Sequence, residues 1–322
     1  MHAKEKGTSY EMEPIRVGFG RGLVEAGRRD SRVVALCADL TESTQMHLFR
    51  EEFPDRFIEV GIAEQNLVTV ASGMAHAGRI PFTSSYAAFS PGRNWEQIKT
   101  TAALNDRPVI VVGSHAGLNV GPDGATHQML EDIALMRVLP NMIVIAPADS
   151  HEAEQATIAL AAAEKPAYLR LARDATPVFT TADEPFRIGV AHILKRGADV
   201  TLLGTGTMTY ELLRCAEVLH TAGIAAEVVH VPTIKPLDTE TILSSVGRTG
   251  LAVTAEEAQI AGGFGSAVTE LVSSHAAVPV LRLGVDDRYG ESGAPRQLLE
   301  HFGLTGSQLA AQIATFVRRV RP

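Results

Sequence analysis

Short runs of β-branched and aliphatic residues alternate with helical stretches along the whole chain, and this alternation constrains the fold more than any other feature. A run such as Pro108-Val-Ile-Val-Val-Gly113 reads as a buried strand, and strand–helix repetition of this kind predicts α/β architecture with mostly parallel sheets. In the first half the pattern predicts strands over 32–38, 57–61, 81–84, 109–113, 142–147 and 167–171. Helices are predicted over 16–27, 63–77, 94–104, 131–139 and 150–164, with Gly78 as a C-cap. Residues 174–187 lack periodicity, carry two prolines and read as a linker. Beyond it, strands are expected over 200–204, 227–231, 251–255 and 278–283, with helices over 208–221, 239–246 and 265–274 and a C-terminal pair over 295–320. The expectation is two consecutive α/β domains, 1–180 and 188–322, as a chain of 322 residues allows.

Bulk properties remove several classes of function. Hydrophobic residues make up 45% of the chain and charged residues 20%, with a net charge of −8 and no basic block, so nucleic acid is not an expected partner. The apolar runs have strand length, short of the ~20 residues that a membrane span needs. The first ten residues show no secretory pattern, and Cys37 and Cys215 read as two buried free thiols, which together suggest a cytoplasmic protein. No Cys/His cluster has zinc spacing, and no metal site is expected on this chain.

The candidate chemistry lies in two segments. In Gly61-Ile62-Ala63-Glu64-Gln65-Asn66, Glu64 falls in the first turn of a helix just after a strand. An acid there is ordinarily a response to the helix dipole, but a partly buried carboxylate can also hydrogen-bond a cofactor ring nitrogen. The second segment, after strand 109–113, sets His115, Asp123 and His127 among Gly117, Gly121, Pro122 and Gly124. Glycines let backbone pass close to a ligand, and loops at the carboxyl ends of parallel strands are where open α/β sheets bind ligands.

With Ala38-Asp-Leu-Thr41, Arg56-Phe-Ile-Glu-Val-Gly-Ile-Ala-Glu64, Gly121-Pro-Asp-Gly-Ala-Thr-His-Gln128, Leu139-Pro-Asn141, Ala146-Pro-Ala-Asp149 and Tyr168-Leu-Arg-Leu-Ala-Arg173 in this order, the chain resembles the C-terminal part of transketolase. The resemblance covers the pyrimidine-binding domain and the third domain, nearly the whole chain. A Gly-Asp-Gly followed by an Asn pair, which binds metal and diphosphate in that family, is absent, so the chain resembles one subunit of a split transketolase.

The resemblance implies thiamine diphosphate shared with an N-terminal partner subunit that holds the diphosphate and a Mg or Ca ion, in an α2β2 assembly. It makes Glu64 the acid that activates the cofactor and places Tyr86 and Phe89 on the aminopyrimidine, with Asp39 and Leu40 lining the cofactor. The third aromatic of that pocket has no clear counterpart, because Ser90-Pro-Gly-Arg-Asn-Trp95 carries an insertion; Trp95 is the available substitute. Arg16, Ser43, His115 and Arg173 would hold the sugar phosphate, as forked, charged donors suit phosphate. Asp123 would read an acceptor hydroxyl, and His127 would move protons at the substrate carbonyl or hydroxyl. Arg170 would assist the phosphate site or form a surface ion pair.

Other segments carry less. Gly204-Thr-Gly206 and Gly262-Gly-Phe-Gly265 read as tight turns rather than phosphate loops, and Ala255-Glu-Glu257 and Asp286-Asp-Arg288 as solvated or subunit-contact acids. Three alternatives to ketol transfer remain. They are a 1-deoxyxylulose-5-phosphate synthase-like half, against which His115 argues, the β subunit of a 2-oxoacid dehydrogenase, and a non-catalytic regulatory homologue.

Overall fold

The computed structural model describes residues 10–181 and 185–321. Residues 182–184 of the expected linker, and the first nine residues, lie outside the described part.

The first half opens with a three-residue strand β1 (Met12–Pro14) and helix α1 (Ile15–Arg29). It continues through β2 (Val33–Cys37), α2 (His47–Glu52), β3 (Phe57–Glu59), α3 (Glu64–His76), β4 (Ile80–Tyr86) and a short α4 (Trp95–Gln97). Next come β5 (Ile110–Ser114), α5 (Asp132–Arg137), β6 (Ile143–Ile145), α6 (Ser150–Ala163), β7 (Ala167–Arg170) and β8 (Ala175–Pro177). The second half holds β9 (His192–Lys195), β10 (Val200–Gly204), α7 (Met208–Thr221), β11 (Ala226–His230), β12 (Thr233–Lys235), α8 (Thr239–Thr249) and β13 (Ala252–Gln259). It closes with α9 (Phe264–His275), β14 (Val280–Val285), α10 (Pro295–His301) and α11 (Gly306–Val320).

Among the described residues two large sheets form, in strand orders β12-β6-β7-β5-β4-β2-β3 and β14-β13-β10-β11-β9, beside a two-stranded pair of β1 and β8. Within the large sheets all neighbours are parallel except the edge strands β12 and β9, which run antiparallel. β2, β5, β6 and β7 are buried at every position, as strands covered by helices on both faces must be. This is the expected architecture of two consecutive α/β units with mostly parallel sheets.

The halves are joined more closely than consecutive domains on a linker. β12 leaves the second half to extend the first sheet, pairing Thr233 with Ile145. A single apolar cluster runs from Val34 and Leu67 in the first half to Val229 and Phe264 in the second. The expected linker is also partly structured. β8 pairs with β1, and Phe179 and Thr180 are fully covered because Asp149 accepts both of their N–H groups, at 2.8 and 2.7 Å, while capping α6. The helix expected over 94–104 starts as α4 and continues over 98–103 as a π-helix. Cys37 and Cys215 are free and buried, and burial pushes the Cys215 thiol up to about 12.

Candidate functional site

Glu64 opens α3 directly after the turn that follows β3. Its side chain is 3% exposed, and the Arg93 guanidinium donates to its Oε2 at 3.1 Å. Arg93 itself is half in solvent and lies 5.1 Å from the centroid of the Phe89 ring. Asn94 fixes the helix start by donating to the Glu64 carbonyl at 2.8 Å and to Ser90 Oγ at 3.1 Å. Among the described residues, the side-chain partner of this buried carboxylate is a half-exposed cation.

Beside it, Tyr86 at the end of β4 and Phe89 form a half-buried aromatic step, with centroids 6.1 Å apart and planes near parallel. The His115 ring stacks on Tyr86 at 3.9 Å, and His127 meets Phe89 edge-on at 5.5 Å. The two histidines, which the sequence places either side of a glycine-rich loop, are thus folded onto one aromatic surface. His115 has φ 57°, a left-handed backbone that is costly for a non-glycine residue and clusters at functional sites. Its Nδ1 lies 2.9 Å from Ser114 Oγ; His127 Nδ1 lies 2.9 Å from Thr126 Oγ1.

Burial, followed by the positive fields of Arg16, Arg173 and His127, pushes the His115 pKa down to about 3. Its imidazole is neutral at neutral pH. NMR of the His115 ring should show no titration between about pH 5 and pH 8, where an ordinary histidine changes charge. Between its ordinary value of 6.5 and about 3 the unfolded chain binds a proton there and the folded chain does not. Stability from this residue is therefore complete above 6.5 and declines as pH falls toward 3.

Arg16 faces the same region from α1. Its Nε and Nη1 are buried without a hydrogen-bond partner among the described residues, and burial plus the nearby Arg173 lower its pKa. Arg173 donates to the Val120 carbonyl at 2.6 Å and lies 3.5 Å from Asp123. Asp39, exposed with φ 57°, and Leu40 sit on the loop after β2. Glu59 ties that loop to the Glu64 turn by accepting the N–H groups of Asp39 and Gly61, at 2.8 and 3.0 Å. Ser43 is half-buried further along this loop.

Several expectations need correction. Trp95 does not join the aromatic step; its indole N–H donates to the Leu135 carbonyl at 2.7 Å and the ring packs on the core. Arg93, from the same insertion, takes the place next to Phe89, and an Arg shortly after an aromatic in a loop was the available signal. Arg170 is not a surface ion pair: it is 7% exposed and bonds buried Asp132 at 2.8 Å. Glu256 and Glu257 are not solvated but buried. Glu256 accepts the Phe264 and Gly265 N–H groups at 2.7 and 2.8 Å, so the glycine turn at α9 already has an anion of its own. Burial raises the Glu256 pKa to about 7. Asp286, Asp287 and Arg288 are exposed, as expected.

Comparison with known proteins places this geometry. The transketolase pyrimidine-binding domain matches residues 13–178, and the transketolase C-terminal domain matches residues 189–309. The chain belongs to the transketolase family. Members of this family depend on thiamine diphosphate. A relative named as a transketolase C-terminal section, from Methanocaldococcus jannaschii, is 42% identical over 302 residues, covering 93% of this chain and 95% of the relative. A 6-deoxy-6-sulfo-D-fructose transketolase subunit from Clostridium sp. strain MSTE9 is 41% identical over 287 residues, 89% of each chain. The 1-deoxy-D-xylulose-5-phosphate synthase of Synechococcus sp. strain JA-2-3B'a(2-13) is 38% identical over 308 residues, 94% of this chain but 47% of the synthase. A solved split-gene transketolase, in an inactive β4 tetramer, superposes with a TM-score of 0.89 at 42% identity, covering 95% of this chain and 98% of the other.

The residues present fit the pyrimidine end of the cofactor. A buried carboxyl group whose partner is a half-exposed cation can hydrogen-bond a ring nitrogen, and the half-buried Tyr86 and Phe89 offer faces for that ring to lie on. Among the described residues no group of three or more His, Cys, Asp or Glu side chains is arranged to hold a metal ion. No described helix is long and apolar enough to cross a membrane.

Proposed function

We propose that the chain is the C-terminal subunit of a two-subunit transketolase, which moves a two-carbon ketol unit from a phosphorylated ketose to a phosphorylated aldose. The single observation that carries this reading is the Glu64 carboxylate, 3% exposed and bonded by the Arg93 that lies over Phe89 of the aromatic step. Bound thiamine diphosphate supplies the nucleophilic carbon and the electron sink that carbon–carbon transfer needs.

The residues of this chain do the rest of the work on this side of the site. Glu64 shares a proton with a ring nitrogen of the aminopyrimidine, and Arg93 gives up its bond to Oε2 to let the ring in. Tyr86 and Phe89 hold the ring plane, while Asp39 and Leu40 close its edge. Neutral His115, with Arg16 and Arg173, takes the sugar phosphate. The unpartnered N–H groups of Arg16 are the donors that an anion would satisfy. Asp123, exposed at the loop tip, reads an acceptor hydroxyl. His127 has its Nδ1 engaged by Thr126, which leaves Nε2 to move a proton at the substrate oxygen. Ser43, on the loop after β2, is the fourth group assigned to the phosphate. The diphosphate and its Mg or Ca ion belong on that partner, in an α2β2 assembly of cytoplasmic enzyme.

The test is reconstitution. The chain is mixed with a subunit carrying the metal and diphosphate motif, thiamine diphosphate and Mg, and ketol transfer from xylulose 5-phosphate to ribose 5-phosphate is followed. Transfer by the mixture, and none by this chain alone, is the expected result. Pyruvate consumed with glyceraldehyde 3-phosphate instead would favour the synthase reading, which the 38% identical relatives keep open.

A further inference from the structure

The glycines between His115 and His127 invite the view that backbone there passes close to a ligand. Their nearest neighbours are instead in the second half of the chain. A Cβ on Gly117, which has φ 77°, would fall 2.7 Å from Glu257 Oε1, and one on Gly124 would collide with Ser292 Oγ. Glu257 sits in β13 and is 4% exposed. Its Oε1 accepts the Asn119 N–H, and its Oε2 accepts the Thr207 hydroxyl at 2.8 Å. Its main-chain carbonyl accepts from Arg170 Nη2 at 2.9 Å, so β7 of the first sheet braces the same point. At the far end of the loop, the Gln128 amide donates to the Glu291 carbonyl at 2.9 Å. The loop is held from both ends by the second half, and one of the holders is a charged group whose burial needs those N–H and O–H donors.

We propose that Glu257 is a positioning residue for the loop carrying His115, Asp123 and His127, so that the second half of the chain sets how the sugar phosphate is held. This rests on the reading of that loop as the sugar-phosphate loop. It gives a role at the site to a domain that the resemblance leaves without one. Burial raises the Glu257 pKa, and Arg170 and the Thr207 and Asn119 donors oppose that rise.

Hydrogen–deuterium exchange on the full chain tests the claim without any assay of activity. In Glu257→Ala, amides 117–128 should exchange about tenfold faster or more, while the central strands β4 and β10 keep their protection. Glu257→Gln keeps an acceptor oxygen for Asn119 and should restore most of the loop protection. In the reconstituted enzyme, Glu257→Ala should raise KM for the phosphorylated acceptor with thiamine diphosphate affinity unchanged. Unchanged loop exchange in Glu257→Ala, or protection lost evenly across both sheets, overturns the proposal. Accelerated loop exchange in a mixture that transfers no ketol unit would support the positioning role and count against the reading of function instead.

Discussion

Glu64→Gln in the reconstituted enzyme should lower kcat for ketol transfer by about 10²–10⁴-fold, the usual contribution of a positioned acid–base group. The amide is nearly the same size, so packing at the start of α3 stays as it is, and the Asn94 bond to the Glu64 carbonyl is untouched. What changes is that a neutral amide cannot share a proton with a ring nitrogen as a carboxyl group does, nor balance Arg93. Thiamine diphosphate affinity should fall much less than kcat, because the ring faces and the diphosphate grip remain. A loss confined to cofactor affinity would make Glu64 a binding residue only.

Arg16→Ala should raise KM for the phosphorylated substrates by about 10–100-fold, which is the range expected for losing charge-assisted bonds. Arg16 is unusual in having two buried guanidinium N–H groups without partners among the described residues. Burial first, and then the nearby Arg173, depress its pKa. An arriving phosphate partners those N–H groups and offsets the charge of Arg173. Arg16→Lys should recover only part of the loss, since a point charge cannot present the same fork. Substrate KM, measured alongside thiamine diphosphate affinity, separates this effect from collapse of the pocket; the latter should not change.

Much of this architecture is legible in the sequence because its signals are local. The buried strands are continuous apolar runs, and Glu64 is marked by its place between a strand and a helix. The aromatic step and the two histidines follow from motif order. What the sequence hides is non-local. β12 is three residues long and joins a sheet belonging to the other half of the chain, and β1 and β8 stabilise each other only when brought together. Glu256 and Glu257 read as solvated because acids usually are, and nothing nearby in sequence reveals the N–H and hydroxyl donors that allow their burial. Arg93 is obscured by the insertion after Phe89, where spacing stops being a guide. That the glycine loop packs on the second half is not legible, since a glycine required by a close approach does not say what approaches.

Proton exchange at C2 of the thiazolium ring of thiamine diphosphate tests the central claim most directly, because it reads the activating step before any sugar binds. The cofactor is placed in D2O with both subunits, quenched in acid at short times and followed by proton NMR. The wild-type pair should speed exchange by about 10²–10⁴-fold over the pair carrying Glu64→Gln, at full cofactor occupancy in each. Equal exchange rates in the two pairs would contradict the account.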